Sequence, residues 1–192
     1  MAQQFSKHLF TVEDFRLMHE AGVFRPDSRL ELIAGEIYEI SPIGKLHAGC
    51  VAALSEMLRD LVQLAALVWV QNPIQLDDYT QPQPDIALLK RREDFYRRAL
   101  PRPADVILVV EVADTTVDYD RLVKIPSYAL AGITEAWLVN LRARRIEVYA
   151  EPDAGEYKVA KFYQPGEEFQ AHTLPHMKIK VDDVLGQEGE SG

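Results

Sequence analysis

The segment VILVVEVA, from Val106 to Ala113, constrains the fold more than any other part of the chain. Successive side chains of a β-strand point to opposite faces of its sheet, and this segment carries apolar residues on both faces. Such a composition is typical of a strand in the interior of a sheet that is covered on both sides. The segment therefore predicts a central sheet flanked by helices.

One residue of this strand, Glu111, does not fit an apolar environment. By alternation, its side chain shares a face with Val109 and Ala113. Burying an unpaired carboxylate costs several kcal/mol or more, roughly, so the group must be neutralised, hydrogen-bonded or bound to a cation. Glu111 is therefore a candidate metal ligand, although a structural ion pair or a position at the edge of the sheet would also explain it.

A second acidic residue, Asp85, begins the short apolar segment DIALL and follows Pro84. If the strand that starts here pairs with the strand that holds Glu111, the two carboxylates converge on one point. Two carboxylates suit Mg²⁺, which prefers oxygen ligands and retains several waters. Taken alone, Asp85 could instead cap a turn.

Lys124 is the candidate cationic partner of these two acids. A positive side chain near a bound metal would stabilise the negative charge that develops on a phosphate. The simpler alternative is a surface pair with Asp120, four residues earlier on a helix.

The remaining pattern predicts a mixed α/β (α+β) chain that folds as a single domain over residues 1–192, with a core at about 10–185. Apolar residues from Leu46 to Ala65 recur at helical spacing, and Ala34-Gly35 indicates a hairpin. Pro126 should break the helical segment near Lys124 and begin a new helix. We expect the C-terminal residues from Gly186 to be frayed.

Composition limits the functional classes. The chain has 192 residues, 47% of them apolar, and a net charge of −9, which argues against a protein that coats DNA through bulk charge. Two local basic clusters, Lys90–Arg98 and Arg142–Arg145, could still approach DNA or could be solvated turns. The single cysteine and the absence of a long apolar run favour a cytoplasmic protein without a membrane span.

Familiar catalytic motifs are missing from the sequence. It contains no C-x-x-C, H-E-x-x-H or G-x-S-x-G, and it has neither of the glycine-rich nucleotide-binding motifs. Cys50 lies on the apolar stripe of the long helix, where packing explains it. The chemistry is therefore expected to depend on carboxylates.

Several segments, in this order, resemble a known family. They are RLELIAGEI, KLHAGCVAAL, PQPDIALL, the run from Leu108 to Leu141 and RIEVYA. Together they strongly resemble the Uma2 family, also called DUF820, a group of proposed restriction endonucleases. The resemblance covers roughly Phe10 to Leu185.

The resemblance implies the PD-(D/E)xK nuclease fold, in which an Asp after Pro and a Glu on the next core strand bind Mg²⁺ or Mn²⁺. Those positions match Asp85 and Glu111. The superfamily's lysine would stand at Ala113, so the resemblance assigns that role to Lys124 instead. Glu31 and His47 match recurrent positions and are expected to be auxiliary.

These observations lead to one main expectation and one alternative. The protein is expected to be a Mg²⁺- or Mn²⁺-dependent endonuclease acting on DNA, with Asp85, Glu111 and Lys124 as catalytic residues. The alternative, motivated by Ala113 and the acidic net charge, is a catalytically silent binding or assembly module on the same fold. A homodimer is a further expectation, because proteins of this fold often pair.

Overall fold

A computed structural model of the chain describes residues 6–40 and 44–186. The expected fraying of the C-terminal end falls almost wholly on residues 187–192, which lie outside the described residues. In the described part the helices are α1 Val12–Glu20, α2 Lys45–Val62, α3 Val117–Tyr119, α4 Ile125–Leu130 and α5 Val181–Leu185, with a π-helical turn Asp120–Lys124 between α3 and α4 and a 3₁₀ turn Pro103–Asp105.

The strands form one large sheet and two small ones. Their bounds are β1 Leu30–Ile33, β2 Glu36–Glu39, β3 Leu67–Val70, β4 Ile86–Leu89, β5 Val106–Ala113, β6 Glu135–Asn140, β7 Arg145–Asp153, β8 Glu156–Tyr163, β9 Glu168–Gln170 and β10 Lys178–Lys180. The central sheet has the order β3-β4-β5-β6-β7-β8, while β1-β2 and β9-β10 are separate two-stranded sheets. Within the central sheet only β5 and β6 pair in parallel, so the predicted mixed sheet is confirmed.

Strand β5 is covered on both faces, as its composition requires. Val110 and Val112 belong to the core cluster that includes the buried stripe of α2 and residues of α5. Val109 belongs to a second cluster on the other face, together with Ile125 and Tyr128 of α4. The sheet is therefore sandwiched between helices, and Glu111 faces the α4 side.

Two details of the helices differ from expectation. The stripe of α2 begins at Cys50, because Leu46 is exposed on the first turn of the helix. The helical segment around Pro126 does not break near Lys124 but widens into the π-helical turn, and Pro126 lies, as predicted, in the first turn of a helix, α4. The hairpin at Ala34-Gly35 is present, with both residues at positive φ. Among the described residues, no helix is both long and apolar enough to cross a membrane.

Candidate active site

Asp85 and Glu111 come together where β4 begins. Ile86, the first residue of β4, pairs with Val110 of β5, so the position before it lies beside Glu111. The backbone nitrogen of Asp85 is 3.4 Å from Oε2 of Glu111, and both residues are almost fully buried. The pairing on which the predicted convergence depended is therefore present, and it places two carboxyl groups at one end of the sheet.

The Asp85 carboxylate is held by three donors from three parts of the chain. Its Oδ2 accepts the backbone N–H of Val112 at 2.9 Å and lies 3.0 Å from Nε2 of His47, while Oδ1 accepts the side-chain amide of Gln71 at 3.1 Å. Because β4 begins only at Ile86, which pairs with Val110, the N–H of Val112 lies beyond the end of the ladder, and the Asp85 side chain provides its acceptor. Burial acts to raise the pKa of Asp85, but the hydrogen bond and charge of His47 and the charge of Lys124 outweigh it, so the pKa lies below its usual value.

The Glu111 carboxylate has a different environment. Its Oε1 accepts the Tyr128 hydroxyl at 2.5 Å and lies 2.8 Å from Nζ of Lys124. Burial raises the pKa of Glu111 well above its usual value, and the attraction of Lys124 offsets this only in part. Repulsion from the neighbouring carboxylates adds to the rise. The positive charge of Lys124 therefore does not fully offset the cost of burying ionised Glu111, and a bound cation would supply the missing positive charge.

Lys124 lies between two acids in the interior. Its Nζ is 2.8 Å from Glu111 Oε1 and 3.1 Å from Glu31 Oε1, and it donates to the carbonyl of Gln83 at 3.3 Å. Burial acts to lower the pKa of Lys124, but attraction by Glu111 and Glu31 exceeds that effect and raises it well above its usual value. The side chain is therefore an ammonium cation and not a proton acceptor. The surface pair with Asp120 is not formed, because Lys124 is buried.

The π-helical turn explains why Lys124 points inward. The N–H of Ile125 bonds to the carbonyl of Asp120, five residues earlier, which is the π-helical pattern. Pro126 has no N–H for the carbonyl of Leu122, and its ring would crowd that carbonyl in a regular helix. The wider turn relieves this conflict. It leaves Leu122 exposed while Asp120 and Lys124 are both buried.

Glu31 is the second carboxylate that pairs with Lys124. It is fully buried on β1, accepts the backbone N–H of Gln83 at 2.8 Å through Oε1 and the hydroxyl of Tyr119 at 3.0 Å through Oε2. With Lys124 as its third partner, Glu31 has a donor on each oxygen atom. It positions the lysine and lies on the opposite side of it from Glu111.

His47 enters the site from the first turn of α2. Its Nε2 lies beside Asp85, while its Nδ1 is buried and makes no hydrogen bond within the described residues. The imidazole orients the Asp85 carboxylate from the face opposite α4. The structure thus brings together all five residues predicted from the sequence, Asp85, Glu111, Lys124, Glu31 and His47, around one cavity of about 200 Å³.

Sequence reasoning missed several residues that bond to the predicted acids or line the cavity. Gln71, Tyr119 and Tyr128 hold the predicted acids, and Arg29 lines the cavity without having been considered. Each comes from a different element, and no spacing in the sequence links them to Asp85.

The donor set fits a hard divalent cation. Four buried acids line the cavity, Asp85, Glu111, Glu31 and Asp120, together with the buried ammonium group of Lys124. Within residues 6–40 and 44–186, no three His, Cys, Asp or Glu side chains are grouped so as to hold an ion together. A cation held by Asp85 and Glu111 would complete its shell with water and phosphate oxygens, as Mg²⁺ commonly does.

The two basic clusters are mostly engaged within the protein. Arg91 donates to the carbonyl groups of Gln63 and Ala66 after the end of α2, and Arg92 pairs with Asp94. In the second cluster Arg145 pairs with Glu147. Neither cluster lines the cavity that contains Asp85. The interpretation as solvated, internally paired turns fits these contacts better than a DNA-binding surface.

Comparison with known proteins agrees with this fold. A solved structure of a protein from Anabaena variabilis, described as a putative nuclease belonging to DUF820, superposes with a TM-score of 0.74. The two chains are 15% identical, and the match covers 92% of this chain and 97% of the other. At that identity the likeness shows a shared fold. No curated protein sequence gives a significant match.

The family model gives a broader assignment. The model of the Uma2 family, described as "putative restriction endonuclease", matches residues 12–182. That range includes all five predicted site residues and the whole central sheet. This chain therefore belongs to the Uma2 family, a family of nuclease type.

Proposed function

We propose that this protein is a divalent-metal-dependent endonuclease that hydrolyses phosphodiester bonds of DNA. The observation that carries the proposal is the meeting of Asp85, Glu111 and Lys124 around one cavity, where β4 begins and β5 ends. Family membership supports the nuclease class. The metal requirement and the DNA substrate are inferred from the chemistry of these side chains.

Each residue has a distinct part in this chemistry. Asp85 and Glu111 would hold Mg²⁺ or Mn²⁺, which when bound supplies an activated water and neutralises phosphate charge. Lys124 brings a positive charge beside Glu111 and would stabilise the negative charge that develops on the phosphate oxygens. His47 orients Asp85, and Glu31 fixes the position of the lysine.

The position of Lys124 also bears on the silent-module alternative. That alternative rested on the acidic net charge and on Ala113, which stands where the superfamily has its lysine. The Ala113 side chain supplies no charge, but Lys124 brings an ammonium group to 2.8 Å from Glu111 by another route. The main reason to expect inactivity is thereby weakened, and a cleavage assay distinguishes the two functions.

The first experiment is incubation of the purified protein with supercoiled plasmid and Mn²⁺ or Mg²⁺. We expect metal-dependent nicking or linearisation that EDTA abolishes and that Asp85→Ala eliminates. Asp153→Ala serves as the matched control, because Asp153 is an exposed acid paired with Lys158 on the β7-β8 hairpin. Intact plasmid under all conditions would favour the silent module.

The second experiment separates metal binding from catalysis. Calorimetric titration of wild-type protein with Mn²⁺ should show a saturable heat that is absent in Glu111→Ala. Equal heats for the two proteins would remove Glu111 from the metal site. The expected homodimer and cytoplasmic location stay predictions from the sequence, and light scattering of the purified protein tests the first of them.

A further inference from the structure

A second, larger cavity lies directly beside the candidate active site. It has a volume of about 850 Å³ and lies between α1, the start of β1 and the segment 73–83. Arg29 and Gln83 line both cavities, so the two share a wall. The volume is within the range of roughly 300–1,000 Å³ that is typical of small-molecule sites. The proposed endonuclease reaction does not by itself account for this space.

Arg29, at the junction of the two cavities, is a cation without an internal partner. Its backbone carbonyl accepts the N–H of Ile40 and the residue is half-buried, but its guanidinium makes no hydrogen bond or ion pair in the part of the chain that the structure describes. Lys124, the other Lys or Arg around the candidate active site, is already bound to two carboxylates. A guanidinium can bind two phosphate oxygens at once, so Arg29 is the group best placed to take a phosphate.

The walls of the second cavity combine apolar surface with unused hydrogen-bonding groups. Phe15, Leu30 and Pro73 contribute apolar surface. The side-chain amide of Gln81 and the ring nitrogen atoms of His19 make no hydrogen bond within residues 6–40 and 44–186. Flat apolar faces with hydrogen-bonding edges are the features of a nucleobase, and Gln is a common partner of such edges.

We propose that Arg29 and this second cavity form a binding site for one unpaired nucleotide of the substrate strand, with the guanidinium on a phosphate and the base in the cavity. The inference rests on the proposed function for the identity of the substrate as DNA. A base inside a duplex cannot enter such a cavity, since it must first leave its stack and its pair. The protein should therefore favour single-stranded or locally unpaired DNA over a fully paired duplex.

The phosphate half of the proposal is tested by binding, without cleavage. Fluorescence anisotropy with a labelled single-stranded oligonucleotide, in EDTA and at low salt, gives the affinity of the wild type, Arg29→Ala and Arg25→Ala. Arg25 is the matched control, because it is a neighbouring exposed arginine that pairs with Glu39 and lines neither cavity. We expect Arg29→Ala to weaken binding about ten- to hundredfold and Arg25→Ala to have little effect.

The salt dependence gives a second readout that a purely structural role would not change. Loss of one phosphate contact on single-stranded DNA should reduce the slope of log affinity against log salt by about 0.7 in Arg29→Ala. An unchanged slope would overturn the phosphate contact, and so would equal losses in Arg29→Ala and Arg25→Ala. Absence of measurable binding in the wild type would overturn it as well.

The base half is tested with duplexes of identical sequence, one perfectly paired and one with a single bulged nucleotide. We expect the bulged duplex to bind more tightly, and Gln81→Leu to remove that difference while Gln164→Leu, on an exposed loop, retains it. Equal affinity of wild-type protein for both duplexes would reject the base site. If Arg29→Ala cleaves plasmid as well as the wild type does, the nucleotide site is wrong and the proposed endonuclease function stands. If DNA binding depends on Arg29 but no cleavage occurs, the endonuclease function is wrong and the nucleotide site stands.

Discussion

Lys124 reaches Glu111 from a different element, and its Nζ lies 2.8 Å from Oε1 of the carboxylate. Lys124 is eleven residues from Ala113, the position at which the superfamily has its lysine, yet its ammonium group lies beside Glu111 on the same strand as Ala113. A site of this kind needs a charge at a point in space and not at a fixed spacing in the sequence. The parallel connection between β5 and β6 supplies that charge through its π-helical turn.

Replacing Lys124 should separate catalysis from metal binding. Lys124→Met keeps the length of the side chain and removes its charge, so we expect cleavage to fall about 100- to 1,000-fold. Mn²⁺ should bind at least as tightly as in the wild type, because a competing cation beside Glu111 has been removed. Plasmid cleavage and calorimetry measure the two effects.

The control for this variant is Lys158→Met, which removes an exposed lysine of β8 that pairs with Asp153. Without metal, Lys124→Met leaves the buried Glu31 carboxylate without its counter-charge, at a cost of about 3–5 kcal/mol. Added Mn²⁺ should restore much of the lost melting temperature. Full cleavage by Lys124→Met would remove the lysine from the reaction.

Metal binding should strengthen with pH because of Glu111. Its pKa is raised above the usual 4.5 by burial, so protons compete with a cation for this carboxylate at higher pH than for an ordinary carboxyl group. The increase in melting temperature caused by Mn²⁺ should therefore grow as pH rises from about 5 to 8. Titrations in buffers of different ionisation enthalpy should show proton release on binding. A constant Mn²⁺ effect without proton release would contradict this expectation.

The sequence could predict the acids and the sheet because both follow from local patterns. A carboxylate inside an apolar strand demands a partner, and the alternation of β5 sets the face on which Glu111 lies. The pairing of β4 with β5 then fixes Asp85 beside it. These steps depend on adjacent strands only.

The rest of the site could not be predicted, because it depends on contacts between distant elements. Tyr128 and Gln71 donate to Glu111 and Asp85 from a helix and a turn, and Arg29, which precedes β1, lines the cavity. Their sequence positions contain no periodic signal that relates them to Asp85. Pro126 was expected to break the helix, but the chain can also avoid the steric conflict of a proline by inserting one extra residue into a helical turn.

The π-helical turn itself should matter for activity more than for stability. In Pro126→Ala the new N–H can bond to the carbonyl of Leu122, which favours a regular helix and withdraws Lys124 from Glu111. We expect the melting temperature to stay the same or rise, while cleavage falls about ten- to hundredfold. Pro165→Ala, in an exposed turn, is the control. Unchanged cleavage with a regular helix would show that the turn is dispensable.

The ion pair between Arg121 and Glu147 should hold the π-helical turn against the sheet, and its contribution to the free energy of unfolding should depend on pH. Arg121 of the π-helical turn donates to both oxygens of Glu147 on β7, at 3.0 and 2.6 Å, and Arg145 and Tyr149 bond to the same carboxylate. Burial acts to raise the pKa of Glu147, but these donors outweigh it and lower the pKa to about 2.

The sign of the effect follows from that shift. A group whose pKa is lower in the folded protein than in the unfolded chain stabilises the fold above its unfolded pKa, which is 4.5 here, and loses this contribution as pH falls toward 2. Glu147→Gln should therefore cost about 3 kcal/mol at neutral pH, and the difference from the wild type should shrink steadily below about pH 5. Denaturant unfolding at a series of pH values measures it. A difference that stays constant down to acidic pH would mean that the Glu147 carboxylate does not contribute through its charge.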